Sequence, residues 1–294
     1  MFDLCNMRQP RQSSRRPGPS SVEALHAAIL EKQSFLCVGL DPDPAKVPAC
    51  FGEGVAAMEA FCLAVVEATL PFAVAYKPNL AFFERYGSEG WAALERIVER
   101  IPSNVLCIAD AKRGDIGNTA TAYARALFEG MGADAVTVAP YMGRDSIEPF
   151  TAFQDRWTVL LALTSNPGAD DFEFHGDPPL HERVLSRSQE FRGADRLMYV
   201  VGATRPEALQ RIRELVPDAF LLVPGVGAQG GSLEAVVAHG MNSRVGLLVN
   251  SSRGILYAGD PAGTRAEVCA AVAASAEALA LAMRSALHEA FPAS

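Results

Sequence analysis

The 294-residue sequence contains no uninterrupted apolar run of the roughly 20 residues that a membrane-spanning helix needs. Its six cysteines, Cys5, Cys37, Cys50, Cys62, Cys107 and Cys269, include no Cys-x-x-Cys pair. Cys37 and Cys107 lie in apolar strand-like runs and Cys62 on an apolar helix face, which points to a reduced, cytoplasmic protein and not to a disulfide scaffold. The five histidines, His26, His175, His181, His239 and His288, end no strand-like run, so each is expected on the surface or in a loop. No His/Cys spacing of a metal site occurs and no dinucleotide-binding fingerprint is assigned, so neither a metal nor a cofactor is expected. An excess of positive charge is missing too. The net charge of −8 favours solubility and argues against an extended nucleic-acid surface.

What the sequence does have is apolar residues, 49% of the chain, enough for a large core. Residues 1–20 stand apart. Arg8, Arg11, Arg15 and Arg16 lie there among prolines and serines, and the composition predicts a disordered extension ahead of a single domain over 21–294. From there, eight short, nearly continuous apolar runs recur: Phe35–Asp41, Phe72–Pro78, Val105–Lys112, Ala135–Tyr141, Thr158–Ser165, Leu197–Thr204, Phe220–Gly227 and Val245–Ser252. Such runs fit parallel strands covered on both faces. The stretches between them are long enough for crossover helices. In one of these, Met58, Phe61, Cys62, Val65 and Val66 follow an i, i+3, i+4, i+7, i+8 pattern. The last helix is expected to open at Asp260-Pro261. Eight alternations predict an α/β protein of the (β/α)8 (TIM) barrel class, with an open doubly wound sheet as the alternative.

A barrel places its chemistry at the C-terminal strand ends, and the unusual polar residues gather there. The ends read Gly-Leu-Asp41, Tyr-Lys77-Pro-Asn79, Asp110-Ala-Lys112-Arg-Gly-Asp115, Thr164-Ser165-Asn166, Pro-Gly225-Val-Gly227-Ala-Gln229-Gly-Gly and Asn-Ser-Ser-Arg253-Gly254. Asp110 and Lys112, two apart on a strand, are expected to point the same way. With Lys77 and Asp41 they form an alternating charge cluster held by mutual pairing, because isolated buried charges are too costly. Two readings are open: a salt-bridge network at the rim, or a site needing a fixed ammonium beside fixed carboxylates. The glycines after the seventh run and Arg253 after the eighth fit a phosphate site, with backbone N–H groups and a bidentate fork as donors. Gln229 sits on a loop that could close over the site. The loop Asp170–Pro179 receives no role.

These motifs carry a resemblance. Asp110-Ala-Lys112-Arg-Gly-Asp115-Ile-Gly-Asn-Thr119 resembles the signature of the orotidine 5′-phosphate decarboxylases. Val-Gly-Leu-Asp41-Pro, Tyr-Lys77-Pro-Asn-Leu-Ala-Phe-Phe-Glu, Leu-Thr-Ser165-Asn-Pro-Gly, Val-Pro-Gly-Val-Gly-Ala-Gln229-Gly-Gly and Asn-Ser-Ser-Arg253 are similar to the family's other motifs, in order, from about Phe35 to Tyr257. The likeness is to the longer-chain bacterial subgroup. It implies decarboxylation of orotidine 5′-monophosphate (OMP) to UMP, the last step of de novo UMP biosynthesis, without a cofactor. It also implies that Lys112 protonates C6 of the pyrimidine, that Asp110 sits beside the substrate carboxylate, and that Lys77 pairs with Asp110 and contacts the ribose. By the same resemblance Asp41 meets a ribose hydroxyl, Ser165 meets the pyrimidine amide, and Gly225, Gly227, Gln229, Arg253 and Gly254 form the phosphate end. Asp115 and Thr119 would come from the partner of a homodimer. Two rivals remain. Magnesium-dependent phosphosugar enzymes such as a hexulose-phosphate synthase or a ketogulonate-phosphate decarboxylase share the Asp-x-Lys-x-x-Asp motif, though Lys77 in its Tyr-Lys-Pro-Asn context argues against them. The other is a non-catalytic nucleotide-binding barrel.

Overall fold

The computed structural model describes residues 12–203, 205–226 and 230–291. Eight parallel strands close into a barrel in chain order: β1 (Leu36–Leu40), β2 (Ala73–Pro78), β3 (Leu106–Arg113), β4 (Ala135–Val138), β5 (Trp157–Leu163), β6 (Leu197–Val201), β7 (Leu221–Pro224) and β8 (Leu247–Ser251). Pairing of β1 with β8, Leu36 opposite Val249, closes the ring and removes the open-sheet alternative. The strands are apolar throughout because side chains pointing inward fill the barrel while those pointing outward meet helices; all five residues of β1 are buried. The helix Gly54–Thr69 buries Met58, Phe61, Cys62, Val65 and Val66, the face its periodicity marks. β4 stops at Val138, short of the expected Tyr141, where Pro140 can donate no ladder hydrogen bond; Tyr141 is exposed.

Two expectations need correction. The last helix starts at Arg265, not at Asp260. Thr264 is its N-cap, and Thr264 and Glu267 form a reciprocal capping box, while the Asp260 carboxylate only accepts the Ala262 N–H in the turn before it. Among the described residues, this helix, Arg265–Ala290, is the one long and apolar enough by length and composition to cross a membrane. Its Val268, Val272, Ala276, Ala280, Met283 and Leu287 are buried along one face, and it packs on Gly54–Thr69.

The second correction concerns the N-terminus. Residues 1–11 of the expected disordered extension lie outside the described residues, but 12–20 pack against the N-terminal end of the barrel. The Arg15 guanidinium, 2% exposed, donates to Asp134 at 2.8 Å and to the carbonyls of Ile101 and Val105 at 3.0 and 2.8 Å. The same Asp134 carboxylate accepts the backbone N–H groups of Gly18 and Cys107, each at 2.7 Å. The Trp157 indole donates to the Pro19 carbonyl. A scarcity of apolar residues suggested disorder, yet the segment is held by polar satisfaction of a buried carboxylate, which composition does not record.

Candidate active site

At the C-terminal strand ends, Asp110 lies between two ammonium groups. Its Oδ2 accepts from Lys77 Nζ at 2.7 Å and its Oδ1 from Lys112 Nζ at 2.5 Å. Lys77, in β2, is nearly buried and lies 4.0 Å from Asp41 Oδ1, just beyond β1. Lys112 is about half exposed. Burial opposes ionisation of Asp110, but Lys77 first and then Lys112 outweigh it and bring its pKa down to about 2. Burial alone would lower the Lys77 pKa; Asp41 and Asp110 reverse this and hold it above its ordinary value. Asp110 and Lys77 are therefore an ionised pair. The neighbouring Cys37 stays a thiol, since burial pushes its pKa up to about 12.

Asp110 and Lys112 do meet, but not by simple strand alternation. Ala109 pairs with Val136 and Arg113 with Val138, so β3 advances four residues while β4 advances two. Lys112 has a φ of +46°, in the left-handed region that non-glycine residues seldom occupy. This bulge turns the lysine back onto Asp110. Thr137, a buried β4 residue that sequence reasoning missed, sits against it. Its Oγ1 donates to Asp110 Oδ1 at 3.1 Å and accepts the N–H groups of Ala111 and Lys112, both at 2.9 Å. The available signal was a lone hydroxyl in Ala-Val-Thr-Val.

These groups line one flank of a cavity of about 210 Å³. Leu161, Val200 and Leu222 with Ser165 form the other flank, so a charged wall faces an apolar one. Ser165 is held closely. Gly202 passes so near that a Cβ there would lie 2.9 Å from the Ser165 Cα and Cβ. The preceding Thr164 donates its N–H and its hydroxyl to Glu173, each at 2.7 Å. The loop Asp170–Pro179, given no role above, thus supplies the anchor of the β5 end. Beside Asp41, the Tyr257 hydroxyl donates to the Asp41 carbonyl and accepts the Asp43 N–H. Asp41 Oδ1 is buried and takes no hydrogen bond among the described residues.

Beyond β7, Gly225 has a φ of +100°, and a Cβ on Gly231 would lie 2.6 Å from Ala203 Cβ. Gly227 and Gln229 lie outside the described residues. Gly225, Gly227 and Gly230 do satisfy Gly-x-Gly-x-x-Gly spacing, but after the seventh strand of a closed barrel instead of at the first βα turn of an open sheet. Arg253 and Gly254 follow β8, and the exposed Arg253 side chain makes no ion pair or hydrogen bond among the described residues. Asp115 and Thr119 are not brought to the cluster. Among the described residues Asp115 Oδ1 accepts only the N–H of Ile116, and the helix Gly117–Arg125 has Ile116 as its N-cap. Ile116 and Tyr123, in or next to that stretch in the chain, are exposed, as are Tyr141 and Met142, and Met142 reaches toward Gly114.

No histidine lines the cavity; His181 is buried, not superficial, with Nδ1 at 2.9 Å from the Glu173 carbonyl. Among the described residues no cluster of three or more His, Cys, Asp or Glu could hold a metal. A larger cavity, about 550 Å³, opens at the opposite end among Trp157, Arg196 and Arg244, away from the end where this fold places its chemistry.

Comparison with known proteins finds matches over most of the chain. The model of the "Orotidine 5′-phosphate decarboxylase / HUMPS family" matches residues 34–268. A Flavobacterium johnsoniae protein named orotidine 5′-phosphate decarboxylase is 53% identical over 81% of this chain and 89% of its own length. A Porphyromonas gingivalis protein of the same name is 50% identical over 90% of this chain and 98% of its own. The solved structure of Leishmania donovani OMP decarboxylase superposes with a TM-score of 0.76 at 38% identity, covering 90% of this chain and 99% of that one.

Proposed function

The chain belongs to the orotidine 5′-phosphate decarboxylase family and converts OMP to UMP and CO2 in pyrimidine biosynthesis, and from that premise we propose that Lys112 donates the proton that replaces the departing carboxylate. The observation that carries this reading is the Asp110 carboxylate between two ammonium groups that both line the cavity, with Lys112 the more exposed of the two. When the bond from C6 to the carboxylate breaks, its electron pair stays on C6 in an sp2 orbital that the ring delocalises poorly. The fixed Lys112 ammonium stabilises that charge and then transfers its proton to C6. Asp110, beside the substrate carboxylate, disfavours the ground state, an effect ranked second to charge stabilisation. Lys77 keeps Asp110 ionised and contacts the ribose, and Asp41 Oδ1, which takes no hydrogen bond among the described residues, accepts a ribose hydroxyl. The apolar flank takes the pyrimidine, with Ser165 on its amide. Arg253 and Gly254 bind the phosphate with the loop Gly225–Gln229, whose glycines admit close N–H donors. No cofactor enters this chemistry. Free thiols at the five described cysteines fit a cytoplasmic setting.

The working unit in this reading is a homodimer in which the partner subunit's Asp115 and Thr119 complete each site. Supporting it are the failure of Asp115 to reach Lys112 within its own chain and the exposed apolar side chains beside it. Subunit mixing tests it. Lys112→Ala and Asp115→Ala chains, each inactive, are mixed in equal amounts and allowed to exchange. Half the dimers are mixed, and in each one site carries both defects and the other neither, so about a quarter of wild-type sites should return. No recovery despite demonstrated exchange would remove the shared site.

A further inference from the structure

Thr137 lies in β4, 1% exposed, and shares the cavity wall with Asp110 and Lys112. A threonine hydroxyl offers one donor and two acceptor positions. Here all three are used, and all three on the same short piece of β3: the hydrogen goes to Asp110 Oδ1, and the lone pairs take the N–H groups of Ala111 and Lys112. That piece of chain is the bulge, whose extra residues have no ladder partners on β4. It also contains the left-handed Lys112. A non-glycine residue persists in that conformation only where its surroundings over-determine it. The Thr137 hydroxyl supplies that determination, standing in for the carbonyl acceptors that regular pairing would give. It also fixes the Asp110 oxygen that receives Lys112 Nζ. We propose that Thr137 is a positioning residue: through its hydroxyl it holds the bulged end of β3 so that the Lys112 ammonium and the Asp110 carboxylate are set against the reacting carbon.

This inference rests on Lys112 being the donor, and the test separates the two. Thr137→Val keeps shape and removes all three hydrogen bonds; Thr137→Ser keeps the hydroxyl and loses a methyl; Lys112→Ala is the reference. The steady-state constants for OMP, the Kd for UMP and the melting temperature are measured for each. Thr137→Val should lose roughly 10²-fold in kcat, the scale of a displacement of about 1 Å. Its UMP Kd and KM should stay within about threefold, because the hydroxyl acts on reacting groups and not on the phosphate or the ring. Thr137→Ser should keep kcat within about threefold of wild type. A crystal structure of Thr137→Val should show Lys112 out of the left-handed region. The inference is overturned if Thr137→Val keeps wild-type kcat, if Thr137→Ser loses as much as Thr137→Val, or if the β3 bulge is unchanged without the hydroxyl. Should Thr137→Val not fold, Thr137→Ser decides alone: retained kcat supports the hydroxyl's role, and a loss near that of Lys112→Ala overturns it. Full activity of Lys112→Ala would instead remove the donor reading on which the inference stands.

Discussion

Replacing Asp110 by asparagine should destabilise the folded protein by about 2 kcal/mol near neutral pH, and by less as the solution is acidified. The carboxylate is 8% exposed and its pKa is down to about 2 from an ordinary 3.8. At about 1.4 kcal/mol per pH unit, that difference amounts to about 2 kcal/mol of stability. Asparagine keeps the shape but leaves Lys77, 7% exposed, with Asp41 at 4.0 Å as its one remaining carboxylate partner among the described residues. Removing one member of a buried pair commonly costs about 3–5 kcal/mol. The lower figure applies here because half-exposed Lys112 can turn toward water. Since the folded-state pKa is depressed, the stabilisation is complete above about pH 4 and disappears as the pH falls through about 2. Urea unfolding of both proteins at equal concentration, between pH 7 and pH 3, is the assay. The gap should be largest at pH 7, equivalent to roughly 3 °C in melting temperature for a chain of this size, and should shrink by pH 3. A variant as stable as wild type at pH 7, or a gap that widens on acidification, refutes the reasoning.

Arg15→Ala should lower stability by about 3–5 kcal/mol by leaving Asp134 buried without its cation, while kcat stays at the wild-type value; thermal melts and turnover measured together check this. Arg253→Ala should weaken turnover of OMP far more than turnover of orotidine, which lacks the phosphate, and equal losses with both substrates would take Arg253 out of the phosphate site.

The barrel was legible because its signal is repetitive: eight apolar runs with crossovers between them leave few other ways to bury both faces of a sheet. Asp41, Lys77, Asp110, Lys112 and Ser165 were legible because charged or polar residues ending apolar strands are conspicuous and the fold places them together. What escaped was carried by contacts between distant residues of ordinary type. Thr137 looks like any β-branched strand residue until the β3 bulge brings two N–H groups to it. Glu173 looks like a loop carboxylate until the chain returns it to Thr164. Arg15 reads as part of a disordered tail because its partner Asp134 lies 119 residues away. The bulge itself was hidden, since Asp-Ala-Lys suits plain alternation equally well and only pairing with β4 reveals the additional residues.

Loss of the orotate chromophore on incubation of OMP with purified Lys112→Ala and with wild type, each with and without a chelator, tests the central claim most directly. The expected result is wild-type turnover unaffected by the chelator and variant turnover below about a hundredth of it, the scale of a lost general acid, with the variant folded and still binding UMP. A folded Lys112→Ala protein that keeps more than that hundredth would contradict the assignment of Lys112 as the proton donor.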